Sequence, residues 1–306
     1  MSEPISIPTA QPPGAWRRLT RNRVAVAAML ILAGIASVAI FGPHIFRYDP
    51  EKVTPQSLSA PTWQHPFGTD MNGRDVFSRV IQGARVSLIV GLCGALVSFF
   101  VGTTYGLIAG YVGGRTDNVM MRFIEMLHSV PRLIIVIVAI FTFAPWLEGF
   151  LHRALPDIEG YAKIIILILC LGLIEWLAMA RIVRGQVLAL KEQQFVLAAR
   201  ALGQSHRRIL LRHLLPNLIG VIVVYLTLTI PAVILDESFL SFLGLGINDP
   251  QASWGSLLSD GKNVINPIHS YWWLLLFPAA AMSLTLVALN FLGDALRDAL
   301  DPRARR

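Results

Sequence analysis

Charged side chains set among apolar runs are where this sequence could do chemistry. At 100° per residue, Arg122, Glu125, His128, Ser129 and Arg132 share an arc of about 120° on one helix face, just before the uncharged stretch 133–146. Charges at membrane depth face a bundle interior or a watery route, not lipid. This face is read in one of two ways. Either it borders a translocation path or gate, where Glu125 can pair with a substrate ammonium or a neighbouring Arg, or its residues snorkel and pair near an interface and hold the next loop. Asp236 and Glu237 admit a similar choice: guiding a positively charged substrate terminus, or facing water and capping the turn that follows at 240–246. Glu175 with Arg181 is equally open. His128 beside Met120, Met121 and Met126 invites a soft-metal reading, but Met and His at such spacing pack more often than they ligate, so no metal site is expected.

Familiar catalytic patterns are missing. The Gly261-Lys262 pair is followed by Asn263, and Ser256 stands where a phosphate-binding loop needs its first glycine. No His-Glu-x-x-His or Gly-x-Ser-x-Gly sequence occurs. The chain is therefore expected not to be an enzyme and to bind no cofactor. Cys93 and Cys170 lie inside apolar runs and act as small hydrophobes, giving no disulfide framework.

The elements that must position these residues follow from composition. The 306 residues are 54% hydrophobic and only 15% charged, whereas soluble domains carry about 25% charge. One bilayer crossing takes about 20 apolar residues, and six such runs occur, at about 24–46, 86–110, 119–146, 164–182, 217–239 and 271–293. The expected fold is all-α, a polytopic membrane protein with six transmembrane helices. The first run is too long for a signal peptide, despite the faint cleavage-like Ser37-Val38-Ala39. A disordered cytoplasmic tail is expected at 1–15, the membrane domain over 16–306, an extracytoplasmic segment at 47–85 and a cytoplasmic loop at 183–216. Gly94, Ser98, Gly102, Gly106 and Gly110 recur every four residues, the stripe that lets helix backbones approach closely in lipid. Of the 26 Lys and Arg, 17 fall on the side holding both termini and the 183–216 loop. The +7 charge is thus accounted for by inside-positive orientation and contact with membrane lipid, and no nucleic acid is expected.

That loop carries the most specific signal. Phe195, Ala198, Ala199 and Leu202 follow the i, i+3, i+4, i+7 spacing of one apolar helix face. Gly203 can then take a positive φ that ends the helix, and Pro216 suits the first turn of the next span. Left to itself, such a helix could lie on the inner leaflet, with Arg207, Arg208 and Arg212 touching anionic lipid. The register of Ala198, Ala199, Gly203, Leu215 and Pro216 instead resembles the EAA loop of bacterial ABC importer membrane subunits. It departs from that pattern with Leu197 for Glu and His213 for Ile.

Further stretches resemble the dipeptide, oligopeptide and nickel permease branch, and most of all its C-type permeases: 65–70 with Gly73-Arg74-Asp75, 83–88, Leu240-Ser241-Phe242-Leu243-Gly244-Leu245-Gly246, Ser253-Trp254-Gly255, and 292–303. The resemblance spans roughly 16–306 and implies the type I ABC importer permease fold. It further implies a homologous second permease, two cytoplasmic ATP-binding subunits carrying ATP and Mg, and an extracytoplasmic solute-binding protein. Residues 195–202 would be the coupling helix, with His213, Leu215 and Pro216 completing the loop. Glu125 has an acidic counterpart in that family, while Arg132 stands where an apolar residue is expected. Peptides, nickel complexes or glutathione fit such permeases. An ion-coupled secondary transporter would show paired inverted repeats or broken helices, and neither is visible.

Overall fold

A computed structural model of the chain describes residues 15–45, 49–154, 160–266 and 268–300. The expected tail therefore falls almost wholly outside the described residues. Eleven helices are used below: α1 (Ala15–Arg21), α2 (Arg23–Ile45), α3 (Val76–Val112), α4 (Gly114–His128), α5 (Arg132–Ala154), α6 (Ala162–Leu190), α7 (Gln194–Ala201), α8 (His206–Arg208), α9 (Leu215–Phe242), α10 (Trp254–Asn263) and α11 (Trp273–Leu300). Six helical stretches among the described residues are long and apolar enough to cross a membrane: Arg23–Gly42, Val76–Val112, Arg132–Ala154, Ala162–Leu190, His206–Phe242 and Trp273–Leu300.

The central element is α3, which packs against α2, α6, α9, α10 and α11. It starts well before residue 86 because Asp75 caps it, its carboxylate accepting the Ser78 N–H at 2.8 Å. It ends at Gly113, where φ is +71°. The small-residue stripe lies mainly along α6. A Cβ placed on Gly106 would stand 2.5 Å from the Ala180 carbonyl oxygen and 2.8 Å from Val183 Cβ; Gly102 and Gly110 meet Met179 and Val187 in the same way. Gly106→Leu is therefore expected to force the two helices apart at a cost of about 1–3 kcal/mol, more if the crossing cannot shift. Thermal unfolding of the detergent-solubilised protein measures this, and an unchanged midpoint would show that the crossing can yield.

The continuous helix expected over 119–146 is two helices. α4 closes at Ser129, whose N–H bonds back to the Glu125 and Met126 carbonyls at 3.1 and 3.2 Å. Pro131 disfavours helical backbone at the residue before it, and α5 begins at Arg132. The single-face projection of Arg122, Glu125 and Arg132 does not carry across this break. A second difference lies before α9, where the chain is helical from His206 and widens to a π-helical turn over Ile209–Leu214. Pro216 has no N–H to give a regular ladder, and the wider turn just before it absorbs that loss.

The two ends of the bundle differ. One carries α7 and the joints of α3, α6 and α9; we call it the loop end. At the other, the cap end, residues 49–75 and α10 fold over the span termini. There Val76, Val80, Leu257, Trp273 and Leu274 share an apolar cluster, and α10 opens with a reciprocal Ser253–Ser256 capping box.

Candidate functional site

At the loop end, α7 is a two-turn helix closed by a Schellman arrangement. The Gly203 N–H donates to the Arg200 carbonyl at 2.9 Å and the Gln204 N–H to the Ala199 carbonyl at 3.1 Å, with Gly203 at φ +71°. Val196 and Ala199 point inward and join a buried cluster with Leu107 of α3, Met179, Val183 and Val187 of α6, and Ile209, Leu214, Leu218 and Ile222. The helix is thereby wedged against three membrane spans at once.

The opposite face of α7 stays uncovered. Phe195, Leu197 and Ala198 are exposed, and Leu202 is 80% exposed. Ala199 therefore packs on the anchoring face, although the i, i+3, i+4, i+7 spacing grouped it with the exposed Phe195, Ala198 and Leu202. Around the turn, Tyr111 at the end of α3 hydrogen-bonds His206 Nδ1 at 2.7 Å and lies beneath the Arg200 guanidinium, 5.3 Å from the ring centroid. His213 Nε2 meets Gln204 Oε1 at 2.8 Å, and the Asn217 amide bonds the His213 carbonyl at 2.6 Å. Leu215 is half-buried beside the same cluster, ahead of Pro216 in the first turn of α9. Tyr111 and Val196 were not singled out from the sequence, because nothing local marks them.

The charged residues form several separate groups. Arg122 and Glu125 pair at 3.4 Å on the exposed face of α4, in a groove of about 530 Å³ also lined by Arg181 and Arg184 of α6. Arg184 grips Asp117 through two bonds of 2.5 and 2.6 Å. Arg181 contacts His128 at 2.6 Å and not Glu175. Burial, and then the Arg181 charge, lower the His128 pKa, which favours the neutral imidazole as acceptor.

Arg132 is held away from Arg122 and Glu125. Its Nη1 donates to Glu175 Oε1 at 3.1 Å and its Nη2 to Asp236 Oδ1 at 2.7 Å, linking α5, α6 and α9. Asp236 is thus an ion-pair partner rather than a turn cap. Glu237, expected as a pathway candidate beside it, points elsewhere. It is fully enclosed and accepts bonds from Ser241 at 2.7 Å, Ser87 at 3.1 Å and Ser238 at 3.3 Å. Successive residues on a helix diverge by 100°, so Asp236 and Glu237 cannot share one task.

A third group occupies the cap end. Arg74 binds Asp70 through Nε at 2.8 Å and Asp249 through both terminal nitrogens at 3.0 and 3.2 Å. Arg79 contacts Asp70, Asp249 at 3.0 Å and Asp260 at 3.4 Å. Although burial opposes its charge, the Arg74 and Arg79 guanidiniums hold Asp249 below the usual carboxylate range, while burial pushes Asp260 up despite Arg79. The sequence supplied the Gly-Thr-Asp and Gly-Arg-Asp stretches but not this partner, 175 residues from Arg74.

The chain matches two family models. One, described as binding-protein-dependent transport system inner membrane component, covers residues 102–306; the other, the N-terminal TM domain of oligopeptide transport permease C, covers 14–62. It is 46% identical over 296 residues to the dipeptide transport system permease protein DppC of Bacillus subtilis, across 95% of this chain and 86% of that protein. Against the oligopeptide transport system permease protein OppC of Haemophilus influenzae, identity is 45% over 95% of this chain and 88% of that protein. For OppC of Escherichia coli it is 46% over 95% and 91%.

Proposed function

Because this chain belongs to the family of binding-protein-dependent transport system inner membrane components, we propose that it is the membrane subunit of an ATP-driven peptide importer, lining half of the translocation path. The observation that carries this is identity of 45–46% with dipeptide and oligopeptide permeases along 95% of the chain. The protein is a multi-pass inner-membrane protein, and both termini face the cytoplasm, on the side where basic residues concentrate.

The geometry of α7 supports the mechanism. Its apolar outer face of Phe195, Ala198 and Leu202 seats in a cytoplasmic ATP-binding subunit. Its inner face, Val196 and Ala199, is embedded among α3, α6 and α9. Movement of the ATPase reaches the spans through that wedge and switches the path between outward and inward access. ATP and Mg belong to two such partner subunits, and this chain hydrolyses nothing itself. A homologous second permease forms the other half of the path, and an extracytoplasmic binding protein delivers the peptide to the cap end.

Purification of the tagged chain from its host is expected to bring the ATPases with it. Uptake of a labelled peptide is expected to survive dissipation of the ion gradient and to stop on ATP depletion. Uptake that collapses with the gradient while ATP is intact would overturn the reading.

A further inference from the structure

The Arg132 triad has a charge imbalance and an orientation that a purely structural salt bridge does not need. Its depth follows from the crossing of α3 and α6: Gly172 lies against Gly94 and Val97, and Trp176 against Gly102. Glu175 stands between these two contacts, in the middle of the uncharged stretch 86–114. An arginine at this depth does not face hydrocarbon. Yet the Arg132 side chain is 52% exposed, while those of Glu175 and Asp236 are 14% and 8% exposed. The open side of the guanidinium therefore faces a polar neighbour: water in a path, cargo within it, or the second permease.

Two carboxylates share one guanidinium, so one negative charge is left over while both are ionised. Arg181, the next cation along α6, is engaged with His128. Glu175 and Asp236 hold Arg132 from behind through one bond to each terminal nitrogen. A guanidinium has five N–H donors, so three are left unused by the carboxylates on a side chain that is half exposed.

We propose that the triad is a cargo contact that favours peptides bearing positive charge over anionic ones. The surplus carboxylate charge attracts a substrate ammonium, terminal or from a lysine side chain. The unused donors of Arg132 take a peptide carbonyl oxygen, a neutral acceptor that the surplus charge does not repel. Arg132, Glu175 and Asp236 are then specificity-determining residues, with no part in energy coupling. This inference rests on the reading of the chain as a peptide permease and concerns only which peptides pass fastest.

The test uses the whole transporter, with its partner subunits and binding protein, in liposomes. Uptake of Ala-Lys-Ala and Ala-Glu-Ala is measured at saturating peptide, so that the ratio of maximal rates reports the membrane step and not capture by the binding protein. The wild type is expected to favour the lysine peptide. Asp236→Asn and Glu175→Gln, each removing the surplus charge, are expected to lower that ratio about tenfold, the scale of one lost close charge contact in a partly wet site. Arg132→Gln should raise it, and the double variant Arg132→Gln with Asp236→Asn, again carrying one surplus negative charge, should return it to near the wild-type value.

A ratio that stays constant while all rates fall together would mean that the triad only ties α5 to its neighbours, and would overturn the proposal. Should Arg132→Gln fail to fold, the two carboxylate variants still decide the matter. A wild-type transporter that imports both peptides at equal maximal rates overturns this inference alone. One that imports neither overturns the peptide reading, and this inference with it.

Discussion

Gly203→Val is expected to leave the transporter assembled and hydrolysing ATP while peptide uptake falls about 5–30-fold. The reason lies in the backbone alone. Gly203 sits at φ +71° and a Cβ there would meet nothing within 4 Å, so the first added carbon clashes with no neighbour. It would disfavour the left-handed conformation by about 1–2 kcal/mol, which is the stated factor in the population of the native turn. Losing the turn releases the bonds from Gly203 and Gln204 to the end of α7. The outer face carrying Phe195 and Leu202 then loses its fixed angle to the Tyr111–His206 contact. Gly203→Asn, which tolerates the left-handed region far better, should keep most uptake and so separates conformation from bulk. Leu202→Asp tests the same interface from the other side. This residue is 80% exposed, so the fold is expected to be unaffected while uptake and retention of the ATPase fall. Wild-type uptake with tight coupling in Gly203→Val would remove α7 from the coupling route.

Why the sequence revealed the loop so clearly and the charged groups so poorly is a matter of range. A bilayer crossing demands about 20 apolar residues in succession, a local property, so all six spans are visible. Their ends are not, because helices continue past the hydrocarbon on polar residues: α3 runs from Val76 once Asp75 caps it. The break between α4 and α5 did leave a local signal, Pro131, which the regular 100° projection passed over. On α7 the spacing identified an amphipathic helix but not which side is inside. Phe195, Val196, Leu197, Ala198, Ala199 and Leu202 surround it with apolar groups, and only the packing of Val196 and Ala199 against α3, α6 and α9 chooses. Ion pairs such as Arg132 with Asp236, 104 residues apart, depend on tertiary approach and leave no spacing to read.

The cap-end network answers the question of what secures the far end of the bundle, and Arg79→Met is expected to test it with the largest loss of stability of any substitution considered. Arg79 is 1% exposed and Asp70 6% exposed as side chains, and Arg79 touches three carboxylates that come from both halves of the chain. Burying these charges is costly, and their mutual attraction offsets that cost only while every partner is present. Removing one member of such a buried set typically costs about 3–5 kcal/mol, because the remaining charge is stranded. Methionine fills much of the volume, so a loss of that size would report charge and not a cavity. Asp249→Asn provides the contrast: that carboxylate is 55% exposed, water can replace what is lost, and a clearly smaller effect is expected. Arg74 and Arg79 also carry the connection between the 49–75 segment and the 243–253 loop, which leads from α9 into α10. Arg79→Met should therefore open the 243–253 loop to protease at temperatures where the wild type resists, before the spans themselves separate. Thermal unfolding in detergent, run beside limited proteolysis, measures both. If Arg79→Met and Asp249→Asn shift the midpoint equally and leave the loop protected, apolar packing of the Trp273 cluster, and not the ion network, secures the cap.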